Sequence, residues 1–184
     1  MVREMDEMAL LRLFRQAGKL KRIRRTGWVQ RGVAEPESVA DHSHRTAFMA
    51  LLLAGRFDVD PLRLIGMAII HDLAEAVVGD ITPGCGVSRE EKHARERAAM
   101  GGLLAGLPDG ERLMSLWSEY EEGVTSEARL AKDIDKLEMA LQAVEYQERS
   151  PGKDLSEFFR SAREGIGGDE MTSLLEKLLS GVEE

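Results

Sequence analysis

The chain has 184 residues, 43% hydrophobic and 32% charged, with 25 basic against 33 acidic side chains and a net charge of -8. One domain of that length buries about 70% of its unfolded surface without staples, and the acidity excludes a general nucleic-acid binder, which draws affinity from neutralising phosphates. A single cysteine, Cys85, excludes an internal disulfide and makes a reducing, cytoplasmic setting the expectation; the N-terminal MVREMDEM has no apolar leader, and the longest apolar run, Ala47 to Ala54, falls far short of the roughly 20 residues of a membrane span.

Helical spacing of apolar residues dominates, so the expected fold class is all-α. The first helix runs from about Asp6 to Arg22. It leads into KLKRIRRTGWVQR, which gathers Lys19, Lys21, Arg22, Arg24, Arg25 and Arg31 in an otherwise acidic chain. Such a stretch is either a solvated helix end, with cations at the favourable pole of the helix dipole, or a small anion site. Ser38 followed by Asp41 has the form of a capping box and starts a second helix that runs to about Arg56. Asp60 and Pro61 open a third, which Gly79 ends. Ser88 with Glu91 caps a fourth, continuing to about Ala105, and Pro108 opens a fifth, to about Glu122. A long sixth helix, Ser126 to Arg149, stops before Pro151. Two shorter helices, near Leu155 to Glu164 and Asp169 to Leu179, follow it.

The third helix poses a chemical question. IHDLAEAVVGD places His71, Asp72, Glu75 and Asp80 among apolar neighbours, and a buried polar group without a partner costs about 1-3 kcal/mol. On a continuous helix Glu75 shares a face with both His71 and Asp72, and those two stand about 100° apart, close enough to lean toward one point. Neutral imidazole with carboxylate suits a borderline divalent metal. The remaining ligands must come from elsewhere in the chain. His42 and His44, two positions apart, point in nearly opposite directions, so one of them faces the core. Asp133 and Asp135 in the sixth helix pose the same choice: the stripe Leu130, Ile134, Leu137, Leu141 and Val144 favours Asp133, while Ala131, Met139 and Tyr146 extend the apolar surface on the other side.

An isolated His, a His-Asp pair on a following helix and an Asp on a much later one resemble the HD-domain metal-dependent phosphohydrolases, an all-α superfamily. The segments LKRIRRTGW, PESVADHSHR, IIHDLAEAVVGDITP, EEKHARE and DKLEMALQAVEY are similar to its 5'-deoxynucleotidase subfamily, over about Leu20 to Tyr146. The resemblance implies a single HD domain over residues 1-184, a helical bundle with a metal site at its centre. Its family-like core spans about 20-146, with helices over 155-181 packing on it.

The resemblance also implies residue roles. His42 is chosen because the family's histidine directly follows an acidic residue, and Asp135 because it begins DKLEM; with His71 and Asp72 they hold one divalent ion, among Mn, Co, Ni, Zn, Cu or Mg. Arg25 matches the arginine that orients the phosphate. Glu75 is assigned to proton transfer or water positioning, and Asp80 to sugar contact or protonation of the leaving 5'-oxygen, with Thr82 beside it as a substrate contact. Trp28 departs from the bacterial pattern, because Thr26 and Gly27 separate it from Arg25; it closes over the sugar or packs in the core. His44 becomes a neighbour of the site or a surface residue, and His93, among Glu, Lys and Arg, a surface residue. The implied activity is hydrolysis of (deoxy)nucleoside 5'-monophosphates to nucleoside and phosphate by a homodimer, with no nucleic-acid or membrane partner. Two alternatives compete with it. A guanosine-tetraphosphate type of pyrophosphohydrolase has an acid where this chain has Ala76, and a non-catalytic nucleotide-binding scaffold has no need of both Glu75 and Asp80.

Overall fold

The structure, a computed structural model, describes residues 6-181. The residues at 1-5, which include most of the stretch read for a leader, and at 182-184 lie outside the described residues. The described chain is all-α, with helices α1 (Glu7–Ala17), α2 (Thr26–Gln30), α3 (Val39–Leu53), α4 (Pro61–Ile70), α5 (Glu75–Val78), α6 (Arg89–Leu104), α7 (Gly110–Glu122), α8 (Ser126–Arg149), α9 (Ser156–Gly165) and α10 (Asp169–Ser180). Tighter 3-10 turns follow α1 (Gly18–Arg22) and α3 (Ala54–Arg56), and another lies at Pro83–Cys85. Among the described residues the β pairing is a single isolated bridge between Arg24 and Ser38.

The chain forms two compact units. The first takes in the described residues up to Ser43 together with Ile69–Ser118, the second His44–Ala68 together with the described residues from Glu119 onward.

In the first unit, α1 packs on the 3-10 turn that follows it and on α5 and α6. Its start is set by Asp6, whose carboxylate accepts from the amides of Met8 and Ala9. The expected box at Ser38 forms in full: the Ser38 amide and hydroxyl both donate to Asp41 Oδ2, at 2.8 and 2.7 Å, and Ser38 Oγ accepts from the Asp41 amide. Ser88 caps α6 in the same way, accepting from the Glu91 amide. These caps pair amides that the first turn of a helix leaves without partners. Helix α2 was not expected from the sequence. Its five residues start at Thr26, whose amide and hydroxyl are both taken by Asp80.

In the second unit, α8 is the spine on which α9 and α10 pack. Thr125 caps it through the Ala128 amide. Asp133 turns toward the start of α10 and accepts from the amides of Gly167 and Gly168, both at 3.1 Å, an anion at the positive end of a helix. A Cβ on Gly168 would come within 3.1 Å of that carboxylate, so glycine is what lets the acid so close. Arg45 spreads its guanidinium over α8, bonding Glu138 at 2.7 Å, Gln142 at 2.6 Å and Glu145 at 2.8 Å. That fork accounts for Glu138, which is 0% exposed and would be a costly buried charge by itself.

The continuous helix expected from Asp60 to Gly79 is corrected by the structure. It ends as α4 at Ile70, passes through a turn over 71-74 and resumes as the short α5. Through that turn the amides bond three residues back, Leu73 to Ile70, Glu75 to Asp72 and Ala76 to Leu73, which winds the chain more tightly than an α-helix. Gly79 then stops α5 with φ +78°, a backbone conformation that a residue with a Cβ adopts only at a cost.

Candidate metal and phosphate site

The break in the helix is where the first unit gathers its polar side chains. The His71 carbonyl, which an unbroken helix would pair with the Glu75 amide, instead accepts the indole N–H of Trp117 at 3.2 Å. Freed from the helix, His71 and its neighbour Asp72 point the same way: His71 Nε2 lies 3.1 Å from Asp72 Oδ2. His42, on the first turns of α3 and 0% exposed, brings its Nε2 to 3.3 Å from His71 Nε2 and 3.6 Å from Asp72 Oδ2. The two imidazole rings meet edge to face, at 70°. His44 is exposed, so His42 is the one of the two histidines that faces the interior.

Three donor atoms at these separations suit one ion. Ligands about 2.1 Å from a common metal, with angles between octahedral and tetrahedral, lie roughly 3.0-3.4 Å from one another, as the 3.1 and 3.3 Å pairs do, and the 3.6 Å pair needs an angle of about 118°. The donor set, two neutral imidazoles and a carboxylate, is that of a borderline divalent metal. Asp72 supplies the anionic form: burial works to raise its pKa, but His71, Arg25 and His42 together outweigh burial and hold it well below the usual carboxylate range.

Around this point stand the groups expected to handle a substrate. Arg25 Nη1 is 3.5 Å from Asp72 Oδ2, so a guanidinium flanks the three donors. Its backbone is fixed on both sides, by its own amide to the Glu37 carbonyl at 3.0 Å and by the next residue, Thr26, whose amide donates to Asp80 Oδ2 at 2.6 Å and whose hydroxyl donates to the Asp80 carbonyl at 2.7 Å. Asp80 is therefore tied to the arginine's segment. Glu75 is 2% exposed, and its Oε2 is buried without a hydrogen-bond partner. Burial first, then the charges of Asp72 and Asp80, push its pKa well above the ordinary value, against the pull of Arg25 and Lys92. A buried, unpaired carboxylate oxygen is costly to keep, and a ligand or a transferred proton gives it a use.

Other expected positions resolve differently. Trp28 is 2% exposed and donates its indole N–H to Glu37 at 2.9 Å, the packing alternative of the two raised for it. Thr82 is half-buried, 3.5 Å from both Gln30 Oε1 and Cys85 Sγ. The Cys85 thiol is exposed, and its hydrogen bonds to Thr82 lower its pKa. His93 is half-buried and stacked flat on Trp117, rather than standing on the surface as its charged neighbours suggested. Asp133, which the apolar stripe favoured as a ligand, is engaged by two backbone amides in its own unit. Asp135 is half-buried on the same helix.

Trp117, Glu37 and Lys92 make contacts around these residues that the residue pattern did not signal. An indole N–H aimed at a carbonyl far away in sequence leaves no periodic trace, and Lys92 and His93 both sit in a segment, EEKHARE, that reads as a solvated helix face. Lys92 is in fact half-buried; burial acts to lower its pKa, and Glu96, Glu75, Asp72 and Asp80 together raise it.

Comparison with known proteins covers most of the chain. A 5'-deoxynucleotidase HDDC2 of Danio rerio is 44% identical over 178 residues, 95% of this chain and 87% of that protein, and its Xenopus laevis counterpart is 45% identical over 157 residues, 83% of this chain and 77% of that one. Among solved structures, a conserved hypothetical protein from Pyrococcus furiosus superposes with a TM-score of 0.79 at 37% identity, covering 91% of this chain and 98% of the other. The model of the HD domain matches residues 17–174, a span that contains the broken helix, both buried histidines and Arg25, and the chain belongs to the HD-domain family.

Proposed function

We propose that this chain is a metal-dependent phosphomonoesterase that hydrolyses (deoxy)nucleoside 5'-monophosphates to nucleoside and phosphate. The observation that carries the reading is the meeting of His42, His71 and Asp72 with donor atoms 3.1 to 3.6 Å from one another, with the Arg25 guanidinium alongside. The relatives named 5'-deoxynucleotidase supply the substrate class.

His42, His71 and Asp72 would hold one divalent ion, with Asp135 as the fourth ligand. What supports Asp135 over Asp133 is that Asp133 is spent on the amides at the start of α10, together with the DKLEM segment that Asp135 begins. Two imidazoles among these four ligands favour Mn, Co, Ni, Zn or Cu over Mg. When bound, such an ion offsets phosphate charge and eases ionisation of a water nucleophile.

The chain's own residues do the rest. Arg25 grips phosphate oxygens through its planar fork, which Lys cannot reproduce. Glu75, made more basic by burial and by neighbouring acids, accepts a proton from the attacking water as the new P–O bond forms and the bond to the 5'-oxygen breaks. Asp80 relays to that leaving oxygen the proton that Glu75 takes, or holds the sugar in place with Thr82. The pyrophosphohydrolase alternative remains less suited, because the position of its final acid is the buried Ala76.

We further place the enzyme in the cytoplasm as a homodimer. No helix among the described residues is long and apolar enough to cross a membrane, and Phe48, Leu51 and Leu52 expose an apolar row on α3 of the kind that subunit contacts cover. Light scattering after size exclusion tests the dimer. The activity is tested by phosphate release from dAMP, AMP, dATP and 3'-dAMP with added Mn2+ or Co2+ after chelation: 5'-monophosphates cleaved first supports the reading, and metal retained with no phosphate released from any of them supports a scaffold instead.

A further inference from the structure

We propose that Trp117 is a positioning residue for the metal-binding pair, holding the helix break from which His71 and Asp72 reach a common point. The inference rests on reading that pair as ligands. In an unbroken helix the His71 carbonyl would receive the amide four residues on, that of Glu75. Here the Glu75 amide goes to the Asp72 carbonyl at 3.0 Å, and the His71 carbonyl takes the Trp117 indole N–H at 3.2 Å. His71 is buried, and a buried carbonyl left unpaired costs about 1-3 kcal/mol. Which donor it finds therefore decides the backbone path.

Trp117 is well placed to make that choice. Its side chain is 0% exposed, and His93 from α6 lies against its ring face, with centroids 5.8 Å apart and planes 12° from parallel. The indole is clamped in plane, so its N–H stays aimed at the carbonyl. Without it, the low-cost way to satisfy the carbonyl is for Glu75 to bond it and the α4 helix to run on. His71 and Asp72 would then stand about 100° apart and reach a common point only by leaning toward each other, without the backbone of the break to aim them, and Glu75 would turn with them. Trp117 acts through backbone alone and makes no contact with the ion or the phosphate on this proposal.

The test is made on the full chain, with Mn2+ affinity read by competition against a chromogenic chelator and with the Tm of the metal-free protein alongside. Trp117→Phe keeps most of the ring volume and removes the donor. We expect Mn2+ affinity to fall about tenfold or more, the range seen when groups that orient metal ligands are lost. Leu104→Ala, a loss of buried volume elsewhere in the same unit, should lower Tm and leave Mn2+ affinity unchanged. Should Trp117→Phe not fold, solvent exchange of the indole protons in the wild type, followed by NMR, takes its place: slow exchange at Trp117 supports the bond, and exchange as fast as free indole overturns it. A folded Trp117→Phe protein with wild-type Mn2+ affinity, or an equal loss of affinity in Leu104→Ala, overturns the proposal and leaves the metal reading standing. A wild-type protein that retains no divalent ion overturns both.

Discussion

Glu75 is the side chain whose surroundings are hardest to explain without chemistry. A core position would favour an apolar residue, since an unpaired polar group there is destabilising, yet the chain keeps an acid whose Oε2 has no hydrogen-bond partner. Glu75→Gln preserves the shape and removes the base, so kcat should fall about 10²-fold or more while the protein still retains its metal; steady-state rates set beside metal content after gel filtration check both parts. Loss of metal together with activity would make Glu75 structural. Arg25 separates charge from geometry in a similar way. Its guanidinium stands 3.5 Å from Asp72 Oδ2, and Arg25→Lys keeps the positive charge without the bidentate fork. We expect kcat/KM for dAMP to drop at least about tenfold in the lysine variant. An unimpaired variant would remove Arg25 from the phosphate site.

At the scale of the element, the caps were legible in the sequence and the helix break was not. Ser38 with Asp41, and Ser88 with Glu91, are contacts between residues three apart, so the pattern that encodes them is local and can be read directly. The break at residues 71-74 depends on Trp117, separated from His71 by 46 positions, and no local rule shows where an indole N–H will be aimed. The same limit explains α2, whose start is held by Asp80 from 54 residues away. Periodicity favoured Asp133 as the inward acid of α8. It is buried, and its carboxylate is directed to the amides at the start of α10, so burial was read correctly while the function of that burial was not. Two substitutions separate the acids of α8. Asp133→Ala should lower Tm through the lost anchor of α10, by an amount equivalent to about 1-3 kcal/mol, and keep the metal, whereas Asp135→Ala should lose metal and activity with little change in the Tm of the metal-free protein. The reverse pattern would return the ligand role to Asp133.

For the whole molecule, the net charge of -8 limits what can be a substrate. An acidic protein repels polyanions at long range, so a small phosphate is held by short-range groups, here Arg25 and the ion that His42, His71 and Asp72 would bind. One terminal phosphate matches one arginine and one ion; a triphosphate brings charges for which the site offers few partners. Chelation should accordingly abolish phosphate release, and Mn2+ or Co2+ should restore it more fully than Mg2+, because two of the four ligands are imidazoles. The most direct measurement is turnover of dAMP and dATP by the Mn2+-loaded wild type under identical conditions, with released phosphate quantified. Hydrolysis of dAMP at least about tenfold faster than that of dATP, and none after chelation, is the result expected; faster turnover of dATP, or activity indifferent to metal removal, would contradict it.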